Sequence, residues 1–304
     1  MGRPPVTAIR VDRDGAVGII TIARRERFNS LDVETAQELR KAGLQCARDP
    51  AIRAVVLRGD GGVFCSGADL KYIRAGGDAE HMGYLQDGRP PRAGYGAIFQ
   101  QILEYIHSTI SEIRRAPKPF IAAVDGVAGA GGFGIAMSCD LVLASTRASF
   151  EWAYSKTGLT GAESSTFLLP RLIGLRRSME LMLLNPRLGA TQALEYGLIT
   201  AVHDIDRFDE AVAAVAGQLA AGPQRAFAIA KELLNQSAGF DQLDAHLDRE
   251  IRELARVADG PEFAQALAAF FEKRAPVFAE DAPTASDTGL TTSDTGLTTS
   301  CRSR

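Results

Sequence analysis

The sequence has little cysteine and spaces it without a recognisable pattern. Its four cysteines are scattered over 304 residues and form no C-x-x-C pair, which argues against a disulfide framework or a zinc site. We therefore expect free thiols, a reducing compartment and no metal site. The cysteines are Cys46, Cys65, Cys139 and Cys301.

The sequence also lacks a long apolar run and an excess of charge of either sign. No segment approaches the roughly 20 apolar residues of a membrane-spanning helix, and the N-terminal stretch MGRPPVTAIRVDRDG lacks the apolar core of a secretory signal. The chain carries 34 Lys and Arg against 37 Asp and Glu, for a net charge of −3, so no basic field attracts nucleic acid or an anionic membrane. A cytoplasmic protein with neither partner is expected.

The sequence has the composition of a globular protein, with 46% hydrophobic and 23% charged residues. It is long enough for one or two domains. In the first half, apolar runs alternate with segments of helical spacing, which indicates an α/β fold. Strands are predicted over 17–22, 52–57, 120–124 and 140–144, and helices over 32–48 and 97–115. From residue 163 onward the chain is predicted to be mostly helical.

Two segments are predicted to be irregular. Residues 75–96 are rich in Gly, Pro and charge, which predicts a mobile surface loop. Near the end, SDTGLTT occurs twice in succession, at 286–292 and 293–299, and one leucine per repeat leaves nothing to bury. Residues 281–304 are therefore predicted to be a disordered tail.

A glycine-rich turn follows the predicted strand at 120–124. The stretch GAGGFG at 129–134 fits the dinucleotide fingerprint G-x-G-x-x-G. That fingerprint also needs an acidic residue about 20 positions later, at the end of the next strand, where this chain reads ASTR (144–147). The alternative is that the glycines let a ligand reach backbone N–H groups at a helix N-terminus, where an oxyanion can be stabilised. A nicotinamide cofactor is thus not expected.

A second turn, FCSGADL at 64–70, could supply another N–H donor. This turn, followed by PKPFIAAVDGVAGAGGFGIAMSCDLVLAS (117–145), resembles the crotonase superfamily, which includes enoyl-CoA hydratases and isomerases. The resemblance covers about residues 7–280. It extends to three further segments, RRERFNSL (24–31), GLRRSMELMLLNPRLGATQALEYGLITAV (174–202) and FFEKRAPVF (270–278).

The resemblance implies a spiral of ββα repeats over residues 1–200, followed by a helical region at 201–280 that packs subunits into trimers or hexamers. It implies an acyl-CoA thioester as the ligand, with coenzyme A part of the substrate, so no separate cofactor is expected. The backbone N–H groups of Ala68 and Gly131 would form an oxyanion hole. Removing a proton beside a thioester puts negative charge on its carbonyl oxygen, and these donors would stabilise that charge.

The chain departs from the hydratase pattern at both catalytic positions. The two glutamates that handle water in hydratases correspond here to Gly134 and Tyr154. The stretch 150–174 is similar to ring-epoxide phenylacetyl-CoA isomerases and 4-chlorobenzoyl-CoA dehalogenases, which carry an aspartate at the place of Ala162. In this chain the carboxylate, Glu163, lies one residue later. Dehalogenation is not expected, because it needs that aspartate.

Three side chains are candidate catalytic groups. Glu163 is either the single proton-transferring base of the acyl pocket or an acid in a first helical turn, where it would favour the helix dipole. His107 matches the spacing of the dehalogenase histidine base, although a histidine on a helix can equally be packed or solvent-facing. Tyr154 either donates a hydrogen bond to the substrate or fills the pocket wall.

The resemblance also assigns the coenzyme A end of the ligand. The backbone around Arg25 to Asn29 and around Ala68 would hold the adenine and pantetheine. Lys273 would meet the nucleotide phosphates across a subunit boundary, or else it is a solvated charge at a helix end. Asp69 and Lys71 are expected to be structural or solvent-facing.

These assignments favour one reaction over two alternatives. One carboxylate can move a proton between carbons, whereas two are normally needed to activate water and protonate the product. Double-bond isomerisation is therefore slightly favoured over hydration, and a non-catalytic protein that binds coenzyme A thioesters is the third alternative. The sequence leaves the acyl group open, and the loop at 71–97 is expected to cover that end of the pocket.

Overall fold

A computed structural model describes residues 8–78 and 94–278 of the chain. The predicted tail at 281–304 and most of the predicted loop at 75–96 lie outside these residues. No helix of the described residues is long and apolar enough to cross a membrane. The thiols of Cys46, Cys65 and Cys139 are free and buried, as expected.

Strands of the described residues, numbered in chain order, form two sheets. The larger sheet is apolar at its centre, since every residue of its fourth strand is buried, as is typical of parallel sheets covered on both faces. Its only antiparallel pair joins the first two strands. Its order is β1 (Ile9–Asp14), β2 (Val17–Ile22), β3 (Ala54–Gly59), β4 (Phe120–Val124), β6 (Leu141–Ser145) and β9 (Ala201–His203); the smaller sheet contains β5 (Val127–Gly129), β7 (Ser149–Glu151) and β8 (Leu188–Gly189).

Helices follow the strands in a regular alternation. In two repeats the chain places one strand in the large sheet and the next in the small sheet, and then forms a helix: β4 and β5 are followed by the helix at Gly131–Ser138, and β6 and β7 by the helix at Ser165–Leu184. This is the ββα repeat expected from the sequence. The helices of the first part are α1 (Val33–Arg48), α2 (Leu70–Arg74), α3 (Tyr95–Arg115), α4 (Gly131–Ser138), α5 (Ser165–Leu184) and α6 (Ala190–Glu195); those of the last part are α7 (Phe208–Ala221), α8 (Gln224–Ser237), α9 (Leu243–Ala258) and α10 (Pro261–Phe271).

The predicted elements are present with shifted ends. The helix predicted over 32–48 begins at Val33, because the Asp32 carboxylate accepts the N–H of Thr35 at 2.9 Å and so caps the helix. The strand predicted over 52–57 runs instead over Ala54–Gly59, and the helix predicted from 97 begins at Tyr95. Helix α3 packs between α1 and α9.

The sequence did not predict β1, β9 or the three short strands of the smaller sheet, β5, β7 and β8. The segment of β1, IRVDRD, is an edge strand with only one buried residue. Its charged side chains leave no alternation of apolar and polar residues from which a strand could be predicted. The chain after residue 163 is mostly helical, but the short strands β8 and β9 also occur there and complete the two sheets.

Candidate active site

A cavity of about 600 Å³ opens beside the two glycine-containing turns predicted from the sequence. Its walls come from the segment after β2, the segment that leads into α2, the start of α4, the chain after β7, and helices α3, α9 and α10. The lining includes Ala68, Asp69, Lys71, Gly131, Glu151, Tyr154 and Glu163.

The two turns approach each other at Gly67 and Gly131. A Cβ on Gly67 would lie 3.0 Å from the backbone nitrogen of Gly131 and 2.7 Å from the Cβ of Ala130, so this contact requires glycine. Gly67 also has a φ of +92°, in the region that glycine adopts most readily. The N–H of Gly131 lies in the first turn of α4, where helix N–H groups have no partner within the helix.

The N–H of Ala68 is turned away from its neighbouring strand segment. The N–H of Leu31 donates to the carbonyl of Gly67, and the N–H of Asp69 donates to the carbonyl of Leu31, both at 2.8 Å. Because successive peptide groups of an extended segment point to opposite sides, the Ala68 N–H points away from Leu31. Both Ala68 and Gly131 line the cavity.

Glu163 lies in a strained turn just before α5. Its φ is +49° and that of Ser164 is +60°, a conformation that few residues other than glycine adopt. The helix begins at Ser165, so Glu163 precedes the first turn and is not the helix-start acid considered from the sequence. Its side chain turns to the cavity instead, because a Cβ on Gly131 would lie 2.7 Å from Glu163 Oε1.

Tyr154 and Glu163 form a buried pair. The tyrosine hydroxyl donates a hydrogen bond to Glu163 Oε2, and both side chains are about 95% buried. Burial raises the pKa of the Glu163 carboxyl to about 8; the negative charge of Glu250 adds to the rise, while the hydrogen bond from Tyr154 opposes it. A carboxyl with a pKa near the working pH can both accept and return a proton.

His107 lies behind Glu163 and does not line the cavity. It is buried on α3, and its Nε2 accepts the backbone N–H of Glu163 at 3.0 Å. Burial lowers the pKa of this imidazole to about 3. The neutral ring nitrogen that could accept a proton is thus already engaged by the backbone of Glu163.

Glu250 is a buried carboxylate that the sequence analysis missed. It projects from α9 and accepts the N–H of Ser164 at 2.8 Å and of Thr166 at 3.0 Å. Burial raises its pKa to about 7, and these hydrogen bonds oppose the rise. A signal was present, because Glu250 interrupts an apolar stripe of α9 at helical spacing: Leu243, Leu247, Glu250, Leu254 and Ala258 are the buried residues of that helix.

Comparison with known proteins decides the family. A model of the enoyl-CoA hydratase/isomerase family matches residues 12–90 and 92–281. The chain is 31% identical over 265 residues to a 4-chlorobenzoyl coenzyme A dehalogenase of Arthrobacter sp, covering 87% of this chain and 91% of that protein. It is 33% identical over 260 residues to the 1,2-epoxyphenylacetyl-CoA isomerase of Escherichia coli K12, covering 84% and 92%.

A solved structure agrees. The crystal structure of an enoyl-CoA hydratase from Mycobacterium avium subsp. paratuberculosis is similar with a TM-score of 0.78 at 31% identity, covering 91% of this chain and all of that one. The chain belongs to the enoyl-CoA hydratase/isomerase family. It is an enzyme of the crotonase superfamily, and its two-sheet spiral is the crotonase fold.

Within this family, the structure gives a physical reason for the glycine at position 134. A Cβ on Gly134 would lie 2.4 Å from the Glu163 carbonyl oxygen and 2.6 Å from the Glu163 Cβ. Position 134 therefore has no room for a side chain while Glu163 lies there. On its other side, the Glu163 carboxylate accepts the hydrogen bond of the Tyr154 hydroxyl.

Of the segments expected at the coenzyme A end, Ala68 and the middle of the 25–29 stretch (Glu26, Arg27 and Phe28) line the cavity, whereas Arg25, Asn29 and Lys273 do not. Arg25 is exposed. The Asn29 side chain is fully buried and donates to the carbonyls of Asp60 and Val63, which ties together the loops that flank the cavity. Lys273 is exposed just after α10, two residues beyond its end.

The two other residues expected to be structural or exposed differ from each other. Asp69 is structural, since it is buried, caps α2 and pairs with Arg24 at 3.4 Å and Arg27 at 3.0 Å. Lys71 is exposed, as expected, and it also lines the cavity. It could therefore reach a bound ligand, which the sequence did not indicate.

Proposed function

We propose that this enzyme isomerises the double bond of an enoyl-CoA thioester, with Glu163 as its single proton-transferring group. The observation that carries the proposal is the Glu163 carboxylate, buried, turned to the cavity and adjacent to Gly131. Asp69 and Glu151 also line the cavity but are ion-paired, Glu151 with Lys156 and Arg187. Glu163 is thus the buried lining carboxylate that has no cation beside it in the described part of the chain.

The reaction follows from the arrangement. The Glu163 carboxylate takes a proton from carbon 2 of a 3-enoyl thioester, and the C–H electrons pass to the carbonyl oxygen. The N–H groups of Ala68 and Gly131 would stabilise that oxyanion. The protonated carboxyl then returns the proton to carbon 4, which gives the 2-enoyl thioester and regenerates the carboxylate. No water enters, so one carboxyl is sufficient.

A panel of acyl-CoA thioesters tests this proposal. We expect cis-3-enoyl-CoA to gain absorbance from the conjugated thioester, because isomerisation creates conjugation. Hydration would instead lower the absorbance of trans-2-enoyl-CoA, and aromatic acyl-CoAs test the acyl preference. Stabilisation against melting without turnover of any member would show a binding protein and contradict the proposal.

A fluorescence titration tests whether the cavity binds coenzyme A thioesters or NAD. Trp152 is the sole tryptophan and its ring centroid lies 5.0 Å from that of Tyr154, so its fluorescence should report occupation of the cavity. We expect saturation by the thioester and no saturation by NAD. Tight binding of NAD alone would contradict the proposed ligand.

We also propose that the enzyme is a trimer, or a hexamer of paired trimers. Large apolar side chains of α5 and α8 are exposed in the single chain, as is typical of a surface that another subunit covers. They are Leu172, Leu175, Met179, Leu183 and Leu184 on α5, and Ile229, Leu233 and Leu234 on α8.

Substituting one of these side chains should change the assembly. The enzyme should sediment at three or six times 32.5 kDa, and Leu183→Glu, at a position 74% exposed in the single chain, should shift it toward the monomer. Ala214→Glu, which adds the same charge to the exposed face of α7, is the control and should leave the mass unchanged. A wild-type monomer in sedimentation velocity would contradict the trimer.

We also propose a cytoplasmic location. The free thiols of Cys46, Cys65 and Cys139 fit a reducing compartment. Localising the full chain in cells by fractionation would test it, and recovery in an oxidising compartment would contradict it.

A further inference from the structure

The turn that carries Glu163 is held by side chains from two other helices. The backbone N–H groups of residues 163–166 each donate a hydrogen bond. The Glu163 N–H donates to His107 Nε2, and the Ser165 N–H donates to the carbonyl of Ala162, both at 3.0 Å. The two remaining N–H groups, those of Ser164 and Thr166, donate to Glu250.

Glu250 engages this turn with both of its carboxylate oxygens. Oε2 accepts from Ser164, and Oε1 accepts from the N–H and the hydroxyl of Thr166. The bonds cross from α9 to the start of α5, 84 or more residues apart in the chain. A carboxylate at this position also meets the favourable end of the helix dipole.

The turn needs such support because two adjacent residues, Glu163 and Ser164, have positive φ. This conformation is unfavourable for residues with a Cβ and persists only where the surroundings enforce it. If the backbone relaxed, the Glu163 carboxylate would move away from Gly131, whose missing side chain provides its space.

We propose that Glu250 is a positioning residue, which holds the Glu163 turn so that the Glu163 carboxylate stays at Gly131 beside the reacting carbon. This inference rests on the proposed function, because it assumes that Glu163 moves the proton. Glu250 does not line the cavity and therefore acts through Glu163.

Glu250 also sets the charge around Glu163. The ionisable groups that surround the turn come from the chain after β3, from α3, from the segment after β7 and from α9. Burial raises the pKa of the Cys65 thiol and of the Tyr154 phenol. It lowers the pKa of the His107 and His246 imidazoles, so these four groups are uncharged near neutral pH. Glu250, whose pKa is about 7, is ionised at the pH where Glu163 titrates, and its negative charge raises the pKa of Glu163. The groups are Cys65, His107, Tyr154, His246 and Glu250.

The substitution Glu250→Gln tests the inference. We expect kcat to fall by about 10–10²-fold with little change in KM, because a displacement of about 1 Å in a reacting group can cost about 10²-fold. We also expect the acidic limb of the pH profile to move to lower pH, because the removed negative charge had opposed the ionisation of Glu163. A residue that only stabilised the fold would leave the position of this limb unchanged.

The matched control is Glu253→Gln on the same helix. Glu253 is exposed and pairs with Arg256 three residues later, so its loss should alter neither kcat nor the pH profile. If Glu250→Gln does not fold, Thr166→Val removes one donor to Glu250 and keeps the backbone bonds. It should lower kcat in the same direction by a smaller factor.

The double variant Glu163→Gln/Glu250→Gln separates this inference from the proposed function. If Glu250 acts through Glu163, the double variant should be no less active than the single variant Glu163→Gln. A Glu250→Gln enzyme with the wild-type kcat and pH profile, beside an inactive Glu163→Gln enzyme, would overturn the positioning role alone. A fully active Glu163→Gln enzyme would overturn the proposed function and the positioning role with it.

Discussion

The substitution Glu163→Gln is expected to lower kcat by about 10²–10⁴-fold, the usual contribution of general acid–base catalysis. The amide has nearly the shape of the carboxylate and can still accept the Tyr154 hydrogen bond, but it cannot take a proton. KM should change little, because binding depends on backbone donors and on contacts to coenzyme A. A loss confined to kcat indicates an interaction made only in the transition state.

The pH profile gives a second measure of the same substitution. The active form of Glu163 is the carboxylate, whose pKa burial raises to about 8. In the wild-type enzyme kcat/KM should therefore fall as the pH drops below about 8 and level off above it. The residual activity of Glu163→Gln should lack this acidic limb.

His107→Gln is the control for Glu163→Gln. A glutamine oxygen can replace Nε2 as acceptor for the Glu163 N–H, so we expect a much smaller loss of kcat. A silent Glu163→Gln beside an inactive His107→Gln would make the histidine the base and contradict our assignment. If both variants kept full activity, Tyr154 would be the next residue to test.

The substitution Gly131→Val is expected to abolish most turnover, with a loss of at least the ~10²–10³-fold that removal of one oxyanion donor costs. The valine Cβ would lie 2.7 Å from Glu163 Oε1, and its methyl groups would enter the space between the two turns. Both the N–H at residue 131 and the carboxylate would then be displaced. The measurement is kcat/KM on the best thioester of the panel, with sedimentation velocity as a check that the assembly persists.

Gly217→Val is the matched control for this change. Gly217 is exposed in α7, and a Cβ there would meet no atom within 4 Å. It should keep wild-type turnover and should not destabilise the helix, because valine has a higher helix propensity than glycine. If Gly131→Val kept full turnover, the oxyanion hole would lie elsewhere.

The sequence predicted the family and the glycine turns, because these depend on local backbone requirements. Gly131 was predicted to leave room for a thioester, and the structure shows that it also leaves room for Glu163. The absence of a glutamate at Gly134 was visible, but its reason was not. That reason is a contact between α4 and a turn 29 residues later, which no local pattern encodes.

The support of Glu163 was the least predictable part of the site. The resemblance to the dehalogenases predicts His107 as a base, yet the structure places it against the backbone of Glu163 rather than in the cavity. Glu250 was not chosen at all, because a glutamate on a helix usually faces solvent. Only the packing of α9 on α3 and α5 shows that this one is buried.

The most direct test of the central claim uses a 3-enoyl-CoA that carries deuterium at carbon 2. Mass spectrometry and NMR measure the loss of one deuterium from that carbon. This loss reports the proposed proton abstraction without assuming how fast the product leaves. The wild-type enzyme should remove one deuterium and yield the 2-enoyl isomer without added water, whereas Glu163→Gln should do so about 10²–10⁴-fold more slowly. Removal of the label by Glu163→Gln at the wild-type rate would contradict the account.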